Sequence, residues 1–382
     1  MDRNIFDDEH DDYRAAVRQF LTQRVVPHYA EWEQAGVVPR SLFTESAELG
    51  AFAAVPEEYG GAGIRDFRFN AILAEEAAAL AVAPAILGVT LQADVCMPYL
   101  LDLTNDEQKA RWLPGVAAGE SIVAIGMTEP GVGSDLSGIA TTAVRKGDDY
   151  VVNGAKTFIT NGVNADLVIT AVRTGPDRHR GLSLLVIERG MAGFERGRNL
   201  EKVGLHAQDT AELSFTDVRV PVANLLGEEG QGFFGLTGNL PQERLSVAVA
   251  GLAAARAAID WTIDYVRERR AFGKPIGDFQ ATRFTLAELV TEVDIMQTFL
   301  DRAVEELLAE RLSVVDAAKA KLWATELQGR VIDACVQLHG GYGYMLEYPI
   351  ARAYIDARIS RIYGGTSEIM KEIVGRSLKL GG

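Results

Sequence analysis

At 382 residues the chain exceeds the length at which one hydrophobic core usually stops growing, so two or three packed units are expected. Its 48% hydrophobic and 24% charged residues allow a large buried core. A formal net charge of -15 excludes the concentrated basic face that a phosphate backbone requires, and no nucleic-acid partner is expected.

The opening residues, Met1 to His10, are acidic and have neither an apolar signal core nor an Arg-rich transit character, which predicts a cytoplasmic protein. No uninterrupted apolar run reaches bilayer length, so no membrane span is expected. From Asp7 to about Glu120 the pattern is helical, with Tyr13, Val17, Phe20, Leu21 and Val25 at three- and four-residue spacing. The turn-rich run from Pro56 to Gly63 precedes an Ala-rich helix expected near Phe67 to Ala83. Asn105-Asp106-Glu107-Gln108 opens another helix, its acidic residues complementing the positive N-terminal end.

After Ser121 the period changes. Asn153-Gly154, set between the β-prone runs Tyr150 to Val152 and Ala155 to Ile159, predicts a hairpin turn. Further strands are expected at Leu167 to Val172, Leu182 to Ile187 and Glu212 to Val220, with no helices between them to make parallel crossovers. No Gly-x-Gly-x-x-Gly stands at a strand-to-helix junction, which disfavours a doubly wound dinucleotide fold. From Gly232 the helical period returns, with Leu245, Val249, Leu252, Ile259, Ile263 and Val266 on one face. Further helices are expected at about Thr282 to Arg311 and Ser313 to Leu338. The reading is α+β: an N-terminal helical domain over 1–121, a middle β domain over 122–232 and a C-terminal helical domain over 233–382. Cys96 and Cys335 form no metal-ligand or redox pair, and the five histidines are scattered, so no metal is expected.

Four motifs carry chemistry. Gly126-Met-Thr-Glu-Pro-Gly-Val-Gly-Ser-Asp-Leu-Ser-Gly138 has the glycines of a backbone that turns tightly and approaches a ligand. Lys156-Thr-Phe-Ile-Thr-Asn-Gly162 follows it, then Arg267 to Gln280, and finally Gln337-Leu-His-Gly-Gly341. Together they resemble the acyl-CoA dehydrogenases over nearly the whole chain, and the C-terminal third is most similar to the long-chain members. The resemblance implies that family's fold, with a β-barrel-like middle domain and a C-terminal helical bundle. It implies FAD, bound by Ile125, Met127, Thr128, Gly133, Ser134, Phe158, Ile159 and Thr160. A neighbouring subunit is implied to add Arg269, Phe272, Gln280, Gln337, Leu338, His339, Gly340 and Gly341, and Thr366, Ser367 and Glu368 complete the cofactor set. Tyr344, Glu347, Arg352 and Asp356 are implied to continue the segment that meets the adenosine side. A shared flavin implies at least a dimer, and the resemblance implies a homotetramer built as a dimer of dimers.

Many members place the catalytic glutamate after the tyrosine of a Tyr-x-Gly-Thr-Ser motif, where this chain has Tyr363-Gly364-Gly365-Thr366-Ser367. Glycine cannot abstract a proton. The long-chain and isovaleryl-type members carry the base on a helix about 120 residues earlier, and Leu240-Pro241-Gln242-Glu243-Arg244 matches that arrangement, which makes Glu243 the expected base. Ser134, Phe234, Pro241, Gln242, Glu243, Arg244, Gly364 and Gly365 are the implied substrate contacts. The implied activity is oxidation of an acyl-CoA to its trans-2-enoyl form, with electrons passed to an electron-transfer flavoprotein. The alternatives are an isovaleryl-like specificity for branched short chains, and a non-catalytic subunit of a heteromeric relative.

Overall fold

The computed structural model describes residues 3–380. Seven helices come first: α1 (Asp8–Phe20), α2 (Tyr29–Ala35), α3 (Ser41–Glu48), α4 (Phe67–Ala79), α5 (Ala83–Thr90), α6 (Met97–Asp102) and α7 (Asp106–Ala117). The expected stripe is the buried one, since Val17 on α1 and Leu21 and Val25 on the π-helical turn after it lie in the core. Helix α4 stops four residues short of the expected end. Ala81 takes a left-handed φ of +58°, and Pro84 starts α5 with its missing N–H in the first turn. Helix α7 opens on a reciprocal cap: Asn105 accepts from the Gln108 backbone N–H while the Gln108 side chain accepts from Asn105 N–H. The Gln108 amide also donates to the carbonyls of Ala223 and Leu225, tying this helix to the domain that follows.

Strands β1 (Val123–Gly126), β2 (Thr142–Lys146), β3 (Asp149–Thr160), β4 (Leu167–Arg173), β5 (Leu182–Glu188), β6 (Phe194–Asn199), β7 (Thr210–Pro221) and β8 (Leu225–Leu226) form one sheet. Its order is β6-β7-β3-β2-β4-β5-β8, with β1 pairing β4. The expected hairpin at Asn153-Gly154 is not a turn. Both residues lie inside β3, where the register with β7 shifts between Val152 and Gly154. Gly154 has φ +149°, and a Cβ there would stand 2.5 Å from Thr141 Oγ1, so the glycine makes a bulge under a crowded neighbour. Asn153 bridges that bulge to Asp217 on β7 through both ends of its amide. The true turn is at Gly147, which has φ +66°, between β2 and β3. Two parallel pairings were not foreseen: β1 runs alongside β4, and β2 touches β4 in parallel at Thr142 and Arg173.

The last third holds α8 (Gly232–Glu268), a two-stranded turn of β9 (Arg270–Ala271) and β10 (Lys274–Pro275), then α9 (Gln280–Leu308), α10 (Val314–His339), α11 (Pro349–Ala357) and α12 (Ser367–Ser377). The α9 helix ends at Leu308, before Glu310 turns left-handed at φ +55°. Ser313 caps α10 by accepting from Asp316 N–H. By length and composition, Ala83–Asp102 and Gly232–Glu268 are each apolar enough to cross a bilayer; 72% and 50% of their most apolar windows are buried in the protein, and the core accounts for that character. Three apolar clusters result: one joins the first helices to one side of the sheet, one fills the sheet's other side, and one packs α4 against α8, α9 and α10.

Candidate active site

Helix α8 carries Glu243 into the interior, where the residue is 5% exposed. Pro241, two residues earlier, lacks the N–H that would bond the Thr237 carbonyl, which loosens the turn leading to it. Opposite lies a π-helical segment, Leu91–Cys96, between α5 and α6, an irregularity often found at functional sites. It is pinned to α8: the Gln242 amide donates to Asp94 O at 2.8 Å, and Ser246 Oγ donates to the Asp94 carboxylate. Tyr99 on α6 donates its hydroxyl to Glu243 Oε1 at 2.8 Å, and among the described residues it is the only hydrogen-bond partner of that side chain. Burial pushes the Glu243 carboxyl up to about 7, against the opposing pull of the Tyr99 hydrogen bond and the Arg244 charge. A carboxyl so placed is a proton acceptor near neutral pH.

The same burial has a stability consequence. The folded form binds a proton more tightly than the unfolded one, so between about 4.5 and about 7 stability falls as pH rises, and above about 7 the full cost is present. That cost is on the order of 3 kcal/mol at 1.36 kcal/mol per pH unit. Glu243→Gln keeps the acceptor for Tyr99 and removes the charge. It is expected to melt above the parent at pH 8 and level with it near pH 4.5; thermal scans with equal midpoints at both pH values would contradict this.

Gly364 and Gly365 stand close by. Both have left-handed φ, +65° and +97°, and a Cβ on Gly365 would lie 3.9 Å from Arg244 Nη2. Lys321, fully buried on α10, donates to Gly365 O at 2.5 Å and fixes this turn. Thr366 caps α12 by accepting from Ile369 N–H, and Ser367 donates to Glu326. Glu368 is exposed; hydrogen bonds at the start of α12 hold its carboxyl below the usual range.

A second group gathers the Gly126–Gly138 loop and the end of β3. Glu129 organises the loop, accepting from Ala140 N–H, Thr141 N–H and Lys156 Nζ at 2.8–2.9 Å. Thr157 N–H reaches back to Thr128 O at 2.9 Å, which sets the loop at Thr128 beside the end of β3 that carries Phe158. Gly133 and Ser134 are exposed, while Ile125 and Ile159 are buried beneath. Phe158 is 68% exposed at φ +60°, a strained backbone holding an uncovered ring. Buried Asn161 steadies it by donating to Gly88 O and Val123 O. Half-buried Thr128 and Thr160 add hydroxyls. An uncovered flat ring, two hydroxyls and a glycine loop with open space at Gly131 and Gly133 are a donor set and a cradle that fit a flavin.

The third group is a surface recess lined by Tyr265, Arg269, Gln337, Leu338, His339, Gly340 and Gly341. His339 stacks on Tyr265 at 4.3 Å, and burial holds its imidazole below the usual value. Arg269 stands over the Tyr342 ring, and among the described residues no carboxylate pairs with its guanidinium, a fork suited to an anion. Phe272, at the tip of the β9–β10 turn, is 95% exposed, and Gln280 at the start of α9 is exposed too. No residue of the second group lines this recess. Arg352 and Asp356 depart from expectation. They lie on α11 and line a different, partly open pocket instead of the recess beside His339.

That pocket, a partly open cavity of about 110 Å³, runs beside α8. Ala250, Ala254 and Trp261 line it, and at 100° per residue they lie within about 20° of the Glu243 direction on the helix. Its walls are mostly small: Ala74, Ala77, Ala78 and Ala81 from α4 and its end, with Ile86, Leu87 and Thr90 from α5. Phe234 is exposed at the beginning of α8 and packs edge-on against Phe233, so it is not a core residue. Sequence reading missed Tyr99 and Lys321. Tyr99 sits in the apolar run Met97 to Leu101 and reads as core, and a lysine in an Ala-rich helix reads as solvated.

The chain matches three family descriptions: "Acyl-CoA dehydrogenase, N-terminal domain" over residues 7–120, "middle domain" over 124–218 and "C-terminal domain" over 230–379. It is 45% identical over 380 residues to "Long-chain specific acyl-CoA dehydrogenase, mitochondrial" of Sus scrofa, covering 98% of this chain and 88% of that one. Among solved structures, an acyl-CoA dehydrogenase from Geobacillus kaustophilus superposes with a TM-score of 0.97 at 49% identity, covering 99% and 100% of the two chains. Butyryl-CoA dehydrogenase from Megasphaera elsdenii follows with a TM-score of 0.93 at 34% identity, covering 99% and 100%.

Proposed function

Since the chain belongs to the acyl-CoA dehydrogenase family of flavoprotein oxidoreductases, we propose that it oxidises long-chain acyl-CoA thioesters between C2 and C3, with Glu243 as the base. The observation that carries this reading is a buried carboxyl tuned to about 7 on the face of α8 whose later residues, Ala250 and Ala254, line a largely apolar pocket. Helical rise places Ala250 and Ala254 about 10 and 16 Å beyond Glu243, room for roughly eight to thirteen methylenes past the reacting carbons at about 1.25 Å each. The likeness to a long-chain relative supports the same choice, and the likeness to a butyryl-CoA enzyme makes it worth testing.

Glu243 takes the α-proton on the oxygen that Tyr99 leaves free. The Gly364–Gly365 backbone, held by Lys321, polarises the thioester carbonyl, and Arg244 balances charge beside the base. Bound FAD supplies the acceptor for the β-hydride. Phe158, Thr128, Thr160, Gly133 and Ser134 hold it in one subunit. Arg269, Gln280 and the recess at Gln337–Gly341 hold the flavin of the adjacent subunit, which accounts for the separation of the two groups and for the exposure of Phe272. An electron-transfer flavoprotein would be the acceptor of the electrons.

Acyl-CoA from C4 to C18 and isovaleryl-CoA, assayed with an artificial electron acceptor, are expected to give the highest kcat/KM between C10 and C16. A maximum at C4 or at isovaleryl-CoA overturns the chain-length reading. The shared-flavin arrangement further calls for at least a dimer, and the family likeness supports a dimer of dimers; analytical ultracentrifugation that finds a monomer with a full complement of flavin rules the shared site out.

A further inference from the structure

A carboxylate as deeply buried as Glu243 needs help to carry its charge, and the titratable groups around it differ in what they give. Arg244, its neighbour on α8, acts on it through charge alone. Cys96 closes the π-helical segment; burial and the Glu243 charge push its thiol up, so it stays neutral, and its Sγ points to Val123 O. Lys321 on α10 is committed to Gly365 O. Asp94 grips the flanking turn and not the base, taking Gln242 on its backbone oxygen and Ser246 and Asn70 on its carboxylate. That leaves Tyr99 on α6, which donates to Oε1 at 2.8 Å. Its ring is fully buried, and burial together with the Glu243 charge holds the phenol far above its usual range, so it stays a donor through neutral and mildly alkaline pH.

We propose that Tyr99 is the positioning residue of the reaction: by donating to Oε1 it holds the Glu243 carboxylate as an ion and leaves Oε2 to the substrate. The inference rests on the reading of Glu243 as the base. A hydrogen bond donated to a carboxylate favours the charged form, and such a charge-assisted bond is stronger than a neutral one. Tyr99 therefore opposes the burial that raises Glu243, and it does so more than Arg244 does. With Oε1 occupied, the carboxylate is also kept from turning. In Tyr99→Phe the ring still fills its place, but Oε1 is left dry and without a donor. The protonated carboxyl, which cannot take the α-proton, is then favoured to higher pH.

The test follows anaerobic flavin reduction by the best acyl-CoA of the chain-length panel between pH 6.5 and 9.5, and reads the rate of Tyr99→Phe relative to the parent. Titration of Lys321 or Asp94 acts on both proteins and cancels in that ratio. Losing one hydrogen bond to a charged group moves the titration of the base upward by about one to two pH units. The variant is therefore expected to be about tenfold slower at pH 6.5 and to recover most of that loss by pH 9.5, with acyl-CoA binding within about twofold of the parent. Ser246→Ala loosens the same turn of α8 without touching the carboxyl, and its ratio is expected to be flat with pH. A flat ratio for Tyr99→Phe overturns the inference, and so does an equal slope for Ser246→Ala, because either outcome reduces Tyr99 to packing. If Tyr99→Phe does not load flavin, 3-fluorotyrosine at position 99, nearly the same size and a stronger donor, is expected to outpace the parent at pH 6.5; equal rates there overturn the inference as well. A near-normal rate in Glu243→Gln removes the base reading itself. A slow Glu243→Gln beside a flat Tyr99→Phe ratio removes this inference alone.

Discussion

Replacement of Glu243 by Gln is expected to slow reduction of the flavin by acyl-CoA about 10²–10⁴-fold while the thioester still binds. Gln preserves volume and the acceptor for Tyr99 but cannot take a proton, so binding and chemistry separate. The measurement is anaerobic flavin bleaching by substrate, without an external acceptor. A near-normal rate would move the base elsewhere, and the geometry offers no ready substitute. Glu368 is exposed at the start of α12 with its carboxyl held low, and position 364 is glycine at φ +65°. The gain in melting temperature predicted for the same variant at pH 8 guards against a trivial explanation, since a misfolded protein would lose rate and stability together.

Glu129→Gln is expected to destabilise the protein by about 3–5 kcal/mol, because it strands the Lys156 ammonium in the interior without a counter-charge. The carboxylate does more than neutralise Lys156: two backbone N–H groups at Ala140 and Thr141 converge on it, closing the loop that begins at Gly126. Burial raises the Glu129 carboxyl, but the Lys156 hydrogen bond, with those from Thr141 and Ala140, holds it below the usual range. Urea denaturation followed by far-UV circular dichroism reads the loss. Adding Lys156→Met to Glu129→Gln is expected to restore part of it, since no charge is then left unpaired. Single and double variants of equal stability would show the pair to be solvated in solution.

The helical segments and most strands were legible because their periods are simple, and Val17, Leu21, Leu245 and Leu252 fall where the spacing puts them. Asn153-Gly154 misled because the signal for a turn and for a bulge is the same glycine; only the partner strand, with Asp217 opposite, decides between them. Of the site, the carboxylate at 243 and the glycine at 364 could be read together from one sequence. What tunes the carboxylate could not be. Tyr99 lies 144 positions away and Lys321 reaches Gly365 across 44, contacts that local pattern does not encode. The separation of the Phe158 surface from the Arg269 recess is also a property of the folded chain.

One consequence of α8 concerns how such an enzyme can change its preference. The proton acceptor and the wall of the pocket are fixed to a single rod, so inserting one residue between Glu243 and Ala250 would turn one against the other by about 100°. Inserting seven would turn them by only about 20° and move the far wall by about 10 Å. Length alterations inside the rod are therefore quantised in whole double turns, and finer adjustment is left to side-chain size on α4 and α5. On the long-chain reading proposed above, a lineage drifting to short chains has an easy route in replacing Ala77, Ala78 or Ala250 with bulkier residues, leaving the backbone and Glu243 untouched.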